Sequence, residues 1–339
     1  MADSRIDKLS PGRLFRWKTR SALCAAALAV FALASTAPAR AQNPIDPYTD
    51  VCYWLNLKEA SIVDGFDFHA YKEGDSGKAC FEIRLGSRTG QVLYRKTVES
   101  FGEFRLGQKA DPVHDIPFIQ DGTDLLGRGR PDMIVTTWSG GARCCFHHIV
   151  FELKPELKVA ARIDDGDGDT AHFADLDGNG HYYYLGNDWT FAYWDPDSPD
   201  SFAPAIVLRF IEDDHGGHYH IAMDKMRAPE PTPEEWKQAV GEAGDSFTQE
   251  GGFGDGTGSK LWSNMVNLIY TGHSNLAWKL LDDTWLTPGQ SQLQGLNKEK
   301  FLSDFCSQLK TSHYWPDIEK TLQEVPATCS AAKPRAAPK

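Results

Sequence analysis

The residues with the most chemical content are acidic and punctuated by glycine. Asp175-Leu176-Asp177-Gly178-Asn179-Gly180 is a D-x-D-x-N-G hexad. In a calcium loop the oxygens at positions one, three and five converge because alternate residues of a tight turn point inward. Glycine at six permits the bend, and position seven adds a backbone carbonyl, here that of His181. Calcium takes six to eight oxygens at about 2.3–2.6 Å. Position nine is Tyr183 and position twelve is Gly186, so the closing acid is missing. The hexad then offers about four or five ligands, which implies modest affinity.

A second cluster precedes it. Asp164, Asp165, Asp167 and Asp169 alternate with Gly166 and Gly168, and carboxylates so crowded repel unless a cation joins them. Asp165, Asp167 and Asp169 are therefore further calcium ligands to test. If the residues between Asp169 and Asp175 form a strand, the two clusters lie roughly 20 Å apart and make two sites. A third stretch, Asp124 to Asp132 (DLLGRGRPD), has the same frame, but Leu126 and Arg128 replace the oxygens at positions three and five. The expectation is that the Arg128 guanidinium stands in for the metal and bridges Asp124 and Asp132. Asp and Gly also favour ordinary turns without any ion.

Other constellations carry less. His215, His218 and His220 lie in DDHGGHYH, where His218 and His220 share one face of a strand. His147 and His148 alternate faces and cannot chelate together. Neither a G-x-S-x-G elbow nor an H-E-x-x-H helix is present. Two functional classes remain open. One is a non-catalytic binding or scaffold protein with calcium-stabilised turns, whose partner is a protein or glycan. The other is a secreted hydrolase with an acidic or His-lined cleft.

The elements that must position these residues fall into two halves, an α+β arrangement. From about 50 to 224, short strands alternate with Gly, Asp and Asn. CFEIRL and QVLYRKTV flank GSRTG, MIVTTW and CFHHIVFEL flank SGGAR, and PAIVLRFI and HYHIAM flank EDDHGG. Further strands are expected at 158–163, 171–174, 181–185 and 190–194. This spacing indicates an antiparallel meander, as in a propeller blade or a sandwich.

The pattern turns helical after a Pro-rich linker at 226–233. Thr232 is read as the cap of a first helix and 241–258 as a Gly-rich loop. A helix at 259–270 follows, then one capped by Ser274, one capped by Asn297, and a fourth at 315–325. YTGHSNLAWKLLDDTW resembles a single tetratricopeptide-type hairpin, although a small bundle packed on the sheet is the simpler reading. The domain boundaries expected are 42–225 for the β part, 226–330 for the helical part and 331–339 for a disordered tail.

DLLGRGRPDMIV and DLDGNGHYYYLGND together resemble the FG-GAP and VCBS-type repeats of integrin α-chain propellers and many exported bacterial proteins. The resemblance covers about Asp121 to Asp188. It implies calcium in the acidic turns and a blade-like binding scaffold, and no particular activity.

The N-terminus sets the expected compartment. Residues 1–41 read as a secretory signal: a basic flank, the apolar run SALCAAALAVFALASTA, then Ala39-Arg40-Ala41. No membrane insertion is expected after its removal. The 339 residues carry 35 basic and 47 acidic side chains, a net charge of −12. Residues 1–41 hold seven basic and two acidic residues, so the remainder has 28 and 45, a net charge of −17. Such acidity argues against nucleic acid as a partner. Six cysteines remain after cleavage, an even number that favours disulfides in an exported chain. Locality pairs Cys52 with Cys80 and Cys306 with Cys329. Cys144 and Cys145 either join each other or find distant partners.

Overall fold

A computed structural model describes residues 51–75, 77–99, 101–141, 145–192, 194, 202–213, 216–245, 247, 259–285 and 297–334. The expected signal sequence at 1–41 lies outside the described residues. The fold is α+β, with three four-stranded antiparallel meanders followed by helices; the three sheets do not form a closed propeller.

The first sheet runs β1 (Asn56–Val63), β2 (Phe66–Lys72), β3 (Ala79–Leu85) and β4 (Val92–Val98) in chain order. The β1–β2 hairpin turns on Asp64-Gly65, both at positive φ (53° and 87°). Such a turn matches the right-handed twist of the paired strands. The second sheet contains β5 (Glu103–Leu106), β6 (Asp132–Trp138), β7 (Phe146–Glu152) and β8 (Lys158–Gly166). The third contains β9 (His172–Ala174), β10 (Tyr183–Asn187), β11 (Ala205–Asp213) and β12 (Gly216–Ile221).

The central strands β6 and β7 of the second sheet are buried on both faces, which explains their near-continuous apolar runs. Met133, Val135, Ile149 and Phe151 pack with Phe68, Phe81 and Ile83 of the first sheet. The alternate residues Ile134 and Val150 join the core of the third sheet and the helices. Period-two alternation thus divides one strand's side chains between two cores.

The strands end at Ile221. The helices are α1 (Met223–Met226), α2 (Pro233–Asp245), α3 (Ser259–Tyr270), α4 (Ser274–Thr284), α5 (Lys298–Leu309), α6 (Trp315–Ile318) and α7 (Ala327–Ala331). Thr232 and Glu235 form a reciprocal capping box at α2. Asn297 caps α5 through the Lys300 amide at 2.9 Å. The third sheet and the helices share one core. Phe191, fully buried, lies between Trp262 of α3 at 5.5 Å and Phe305 of α5 at 5.2 Å.

Four local expectations are corrected. Residues 189–191 form a 3-10 turn instead of a strand, because Asp188 caps it by accepting the Thr190 amide at 2.9 Å. The cap residue of α4 is His273, while the Ser274 hydroxyl accepts the Gln323 amide at 2.7 Å. The expected Gly-rich loop begins later, because α2 continues to Asp245. The expected fourth helix is short: α6 stops at Ile318 and a 3-10 turn, Glu319–Thr321, follows. At the tail, Ala331 closes α7 and the Ala332 carbonyl accepts from the Lys310 ammonium at 2.8 Å; residues 335–339 lie outside the described residues.

Cys52–Cys80 and Cys306–Cys329 are disulfides, with Cα separations of 5.5 and 5.2 Å. Cys145 is also disulfide-bonded, and Cys144 lies outside the described residues. These bonds fit a chain folded in an oxidising compartment. Among the described residues no helix is long and apolar enough to cross a membrane.

Candidate functional site: acidic bends and a histidine-lined cleft

The hexad folds as a bend closed by its own backbone. Asp175 accepts the amides of Asp177 at 3.3 Å, Asn179 at 3.2 Å and Gly180 at 2.7 Å. These amides, Gly180 first, hold the Asp175 carboxyl below its usual range. Asn179 accepts the His181 amide at 2.9 Å. Asp177 accepts the Tyr183 hydroxyl at 2.8 Å and is ion-paired with the ammonium of Lys225, from α1. Lys225 first, then Tyr183, lowers the Asp177 carboxyl. A monovalent cation supplied by the chain therefore already stands on the third position of the bend.

The second cluster divides between interior and surface. Asp165 is 1% exposed. Its Oδ1 accepts the Asn187 amide at 3.4 Å, and its Oδ2 has no hydrogen-bond partner. Gly168 and Gly186 make room for it: a Cβ at Gly168 would overlap Oδ2, and one at Gly186 would come within 2.6 Å of Oδ1. Burial, offset in part by the Asn187 amide and the nearby Tyr184 hydroxyl, pushes the Asp165 carboxyl up to about 8. Asp167 and Asp169 instead line a shallow hollow of about 480 Å³ with Trp189 and Phe202. β9 separates these two bends, as the sequence spacing anticipated. Among the described residues no three His, Cys, Asp or Glu side chains are grouped so as to hold a metal ion.

The third bend departs from expectation. Gly127 and Gly129, both at φ +69°, turn the chain so that Asp124 accepts the amides of Arg128 at 2.9 Å and Gly129 at 2.6 Å. Asp132 accepts those of Leu125 at 2.9 Å and Leu126 at 3.1 Å. With both acids engaged by amides, the Arg128 side chain does not bridge them. Its guanidinium meets Glu152 at 2.8 Å and Glu212 at 3.4 Å, and lies 5.0 Å from the Phe210 ring. Burial pushes Asp132 up to about 7.

A larger concavity lies elsewhere, where β4, the edge strand β8, β12 and the 311–314 turn meet. It measures about 950 Å³. Ile149, Val159, Ala161 and Ile163 give it an apolar lining, and His147, His218 and His313 bring imidazoles to its wall. His147 lies 3.6 Å from Asp164, its cross-strand partner. Of the expected histidine group, His218 lines this cleft and His220 meets Asp317 of α6 at 3.0 Å; His215 lies outside the described residues. His148 points the opposite way from His147, into the core, where burial lowers it to about 3.

Asp188 forms the cleft's inner acid and is 5% exposed. It accepts the Thr190 amide at 2.9 Å and hydroxyl at 2.5 Å, the Tyr270 hydroxyl at 2.6 Å and the Ser312 hydroxyl at 2.5 Å. Four donors satisfy this carboxylate and tie the third sheet to α3 and to the turn after α5. Sequence reasoning missed Asp188, Lys96 and Arg162. The D-x-T spacing at Asp188–Thr190 signals the local cap, but nothing local points to Tyr270 or Ser312, 82 and 124 residues away.

Comparison with protein-family models, curated proteins and solved structures gives no match for this chain.

Proposed function

We propose that this chain is an exported, non-catalytic binding protein that takes a small polar ligand, a glycan or a protein side chain, in the cleft beside β8. The observation that carries the reading is the cleft itself: about 950 Å³, with an apolar lining and three imidazoles on its wall. Sites of this size with a few convergent polar groups are the usual ligand sites of proteins.

A hydrolase needs a proton donor and an ionised partner on the same wall. Asp165, the carboxyl that burial keeps protonated at neutral pH, sits beneath the surface and away from the cleft lining. Asp188 lines it, but its oxygens are engaged by four donors. Neither of these two buried acids offers a free proton donor or nucleophile to the cleft, which supports binding over turnover; the His147–Asp164 pair on the wall is what the product assay tests.

Calcium forms a separate part of the proposal. An ion at the Asp175, Asp177 and Asn179 bend would compete with Lys225 for Asp177, so its affinity depends on how easily that ammonium leaves. The test of the main reading is a panel of oligosaccharides and peptides followed by thermal melting and product chromatography. The expected result is ligand-dependent stabilisation, weakened in His218→Ala and His313→Ala, with the ligand recovered intact. Release of a cleaved product would overturn the non-catalytic reading.

A further inference from the structure

Two cations line the cleft without forming an ion pair among the described residues. Lys96 reaches it from β4 and Arg162 from β8, where Arg162 shares a sheet face with its cross-strand partner Ile149. The polar contact of Arg162 is a 3.4 Å hydrogen bond to the Tyr94 hydroxyl. Neither side chain forms an ion pair among the described residues. Burial, with Arg162 nearby, pushes the Lys96 ammonium down. Of the two acids of the cleft, Asp188 is engaged by its four donors, and Asp164, three-quarters exposed, accepts the Gly166 amide and lies 3.6 Å from His147 without reaching either cation.

In a chain of net charge −12, acidic partners are plentiful. Glu152, for example, gathers Arg128, Arg130 and Lys158. Two neighbouring like charges without an ion-pair partner repel each other, and an anion between them relieves that repulsion.

We propose that the cleft recognises an oxyanion, the carboxylate or phosphate of a small organic ligand, held between the Lys96 ammonium and the Arg162 guanidinium. This inference rests on the cleft reading given above. Arginine presents paired donors to a planar or tetrahedral oxyanion, and lysine adds a mobile point charge. His147, on the same face of the second sheet as Arg162, would border the bound group, and the apolar lining would receive the body of the ligand.

The experiment is an NMR titration of the histidine side chains at low ionic strength with three probes: inorganic phosphate, glucuronate and neutral methyl glucoside. Phosphate or glucuronate, or both, should shift the His147 resonances saturably, and the tighter of the two identifies the natural oxyanion. Lys96→Met and Arg162→Gln should each weaken that probe about 10-fold or more, as expected for a charge-assisted contact, and Arg162→Lys should recover part of the loss. Unchanged melting temperatures would show that the variants fold. Equal binding of methyl glucoside and glucuronate, or affinities untouched by both charge-removing substitutions, would overturn the oxyanion proposal and leave the cleft reading standing. Failure of phosphate and glucuronate to move any cleft histidine would likewise overturn the oxyanion proposal, while the cleft reading falls only if the oligosaccharide and peptide panel also gives no stabilisation.

Discussion

Asp165→Asn should flatten the pH dependence of stability between pH 5 and 7. The carboxyl titrates at about 8 in the folded chain against an ordinary value of 3.8. Between those values the folded state holds one more proton than the unfolded state, so stability falls as pH rises. Each pH unit in this window costs about 1.4 kcal/mol. From pH 5 to 7 the wild type should therefore lose roughly 3 kcal/mol that the variant keeps. Asparagine has nearly the same shape and fits the space that Gly168 and Gly186 leave. Asp132, raised to about 7 in its own bend, titrates in both proteins and cancels in the difference. The assay is urea unfolding of both proteins at half-unit pH steps. Parallel curves would refute the reasoning, because they would mean that Asp165 ionises in the folded state as readily as in the unfolded chain.

Other expectations follow from the same contacts. Glu152→Gln removes the buried carboxylate beneath Arg128 and Arg130; Arg128 keeps Glu212, so urea unfolding should show a loss of about 1.5–3 kcal/mol, the usual worth of hydrogen bonds to a charged group. Tyr270→Phe deletes one donor to Asp188 and should cost about 1.5–3 kcal/mol, with a double-mutant cycle against Ser312→Ala giving a non-zero coupling energy. Lys225→Met frees Asp177, so calcium should raise the melting temperature of this variant more than that of the wild type; equal responses would remove calcium from the account of that bend.

What was legible in the sequence was what depends on neighbours. The hairpins β3–β4, β6–β7 and β11–β12 announce themselves by alternating apolar residues around Gly-rich turns. The pairings Cys52–Cys80 and Cys306–Cys329 follow from closeness along the chain. The β1–β2 hairpin was equally legible in principle, since Val63-Asp64-Gly65-Phe66 carries an Asp-Gly turn between strand residues, yet it went unread. The 3-10 turn at Trp189–Phe191 was hidden because WTFAYW has the composition of a strand. Tertiary packing decides there, with Phe191 held between Trp262 and Phe305.

The acidic bends at 124–132 and 175–180 lie in turns, whereas Asp164 and Asp165 belong to β8, which runs past the expected strand end at 163; the electrostatics of all three depend on distant partners. Lys225 comes to Asp177 across 48 residues, and Asp188 collects hydroxyls from α3 and from the turn after α5. The cleft draws on β4, β7, β8, β12 and a helical turn. No local pattern encodes such a meeting.

The central claim is that the ligand enters the cleft between β8, β12 and the 311–314 turn. A crystal structure of residues 42–339, grown with the tightest ligand from the panel, tests it directly. The account expects density beside His147, His218 and Arg162. Density instead on the first sheet, against the exposed Ile62 of β1, with the cleft left to solvent, would contradict it.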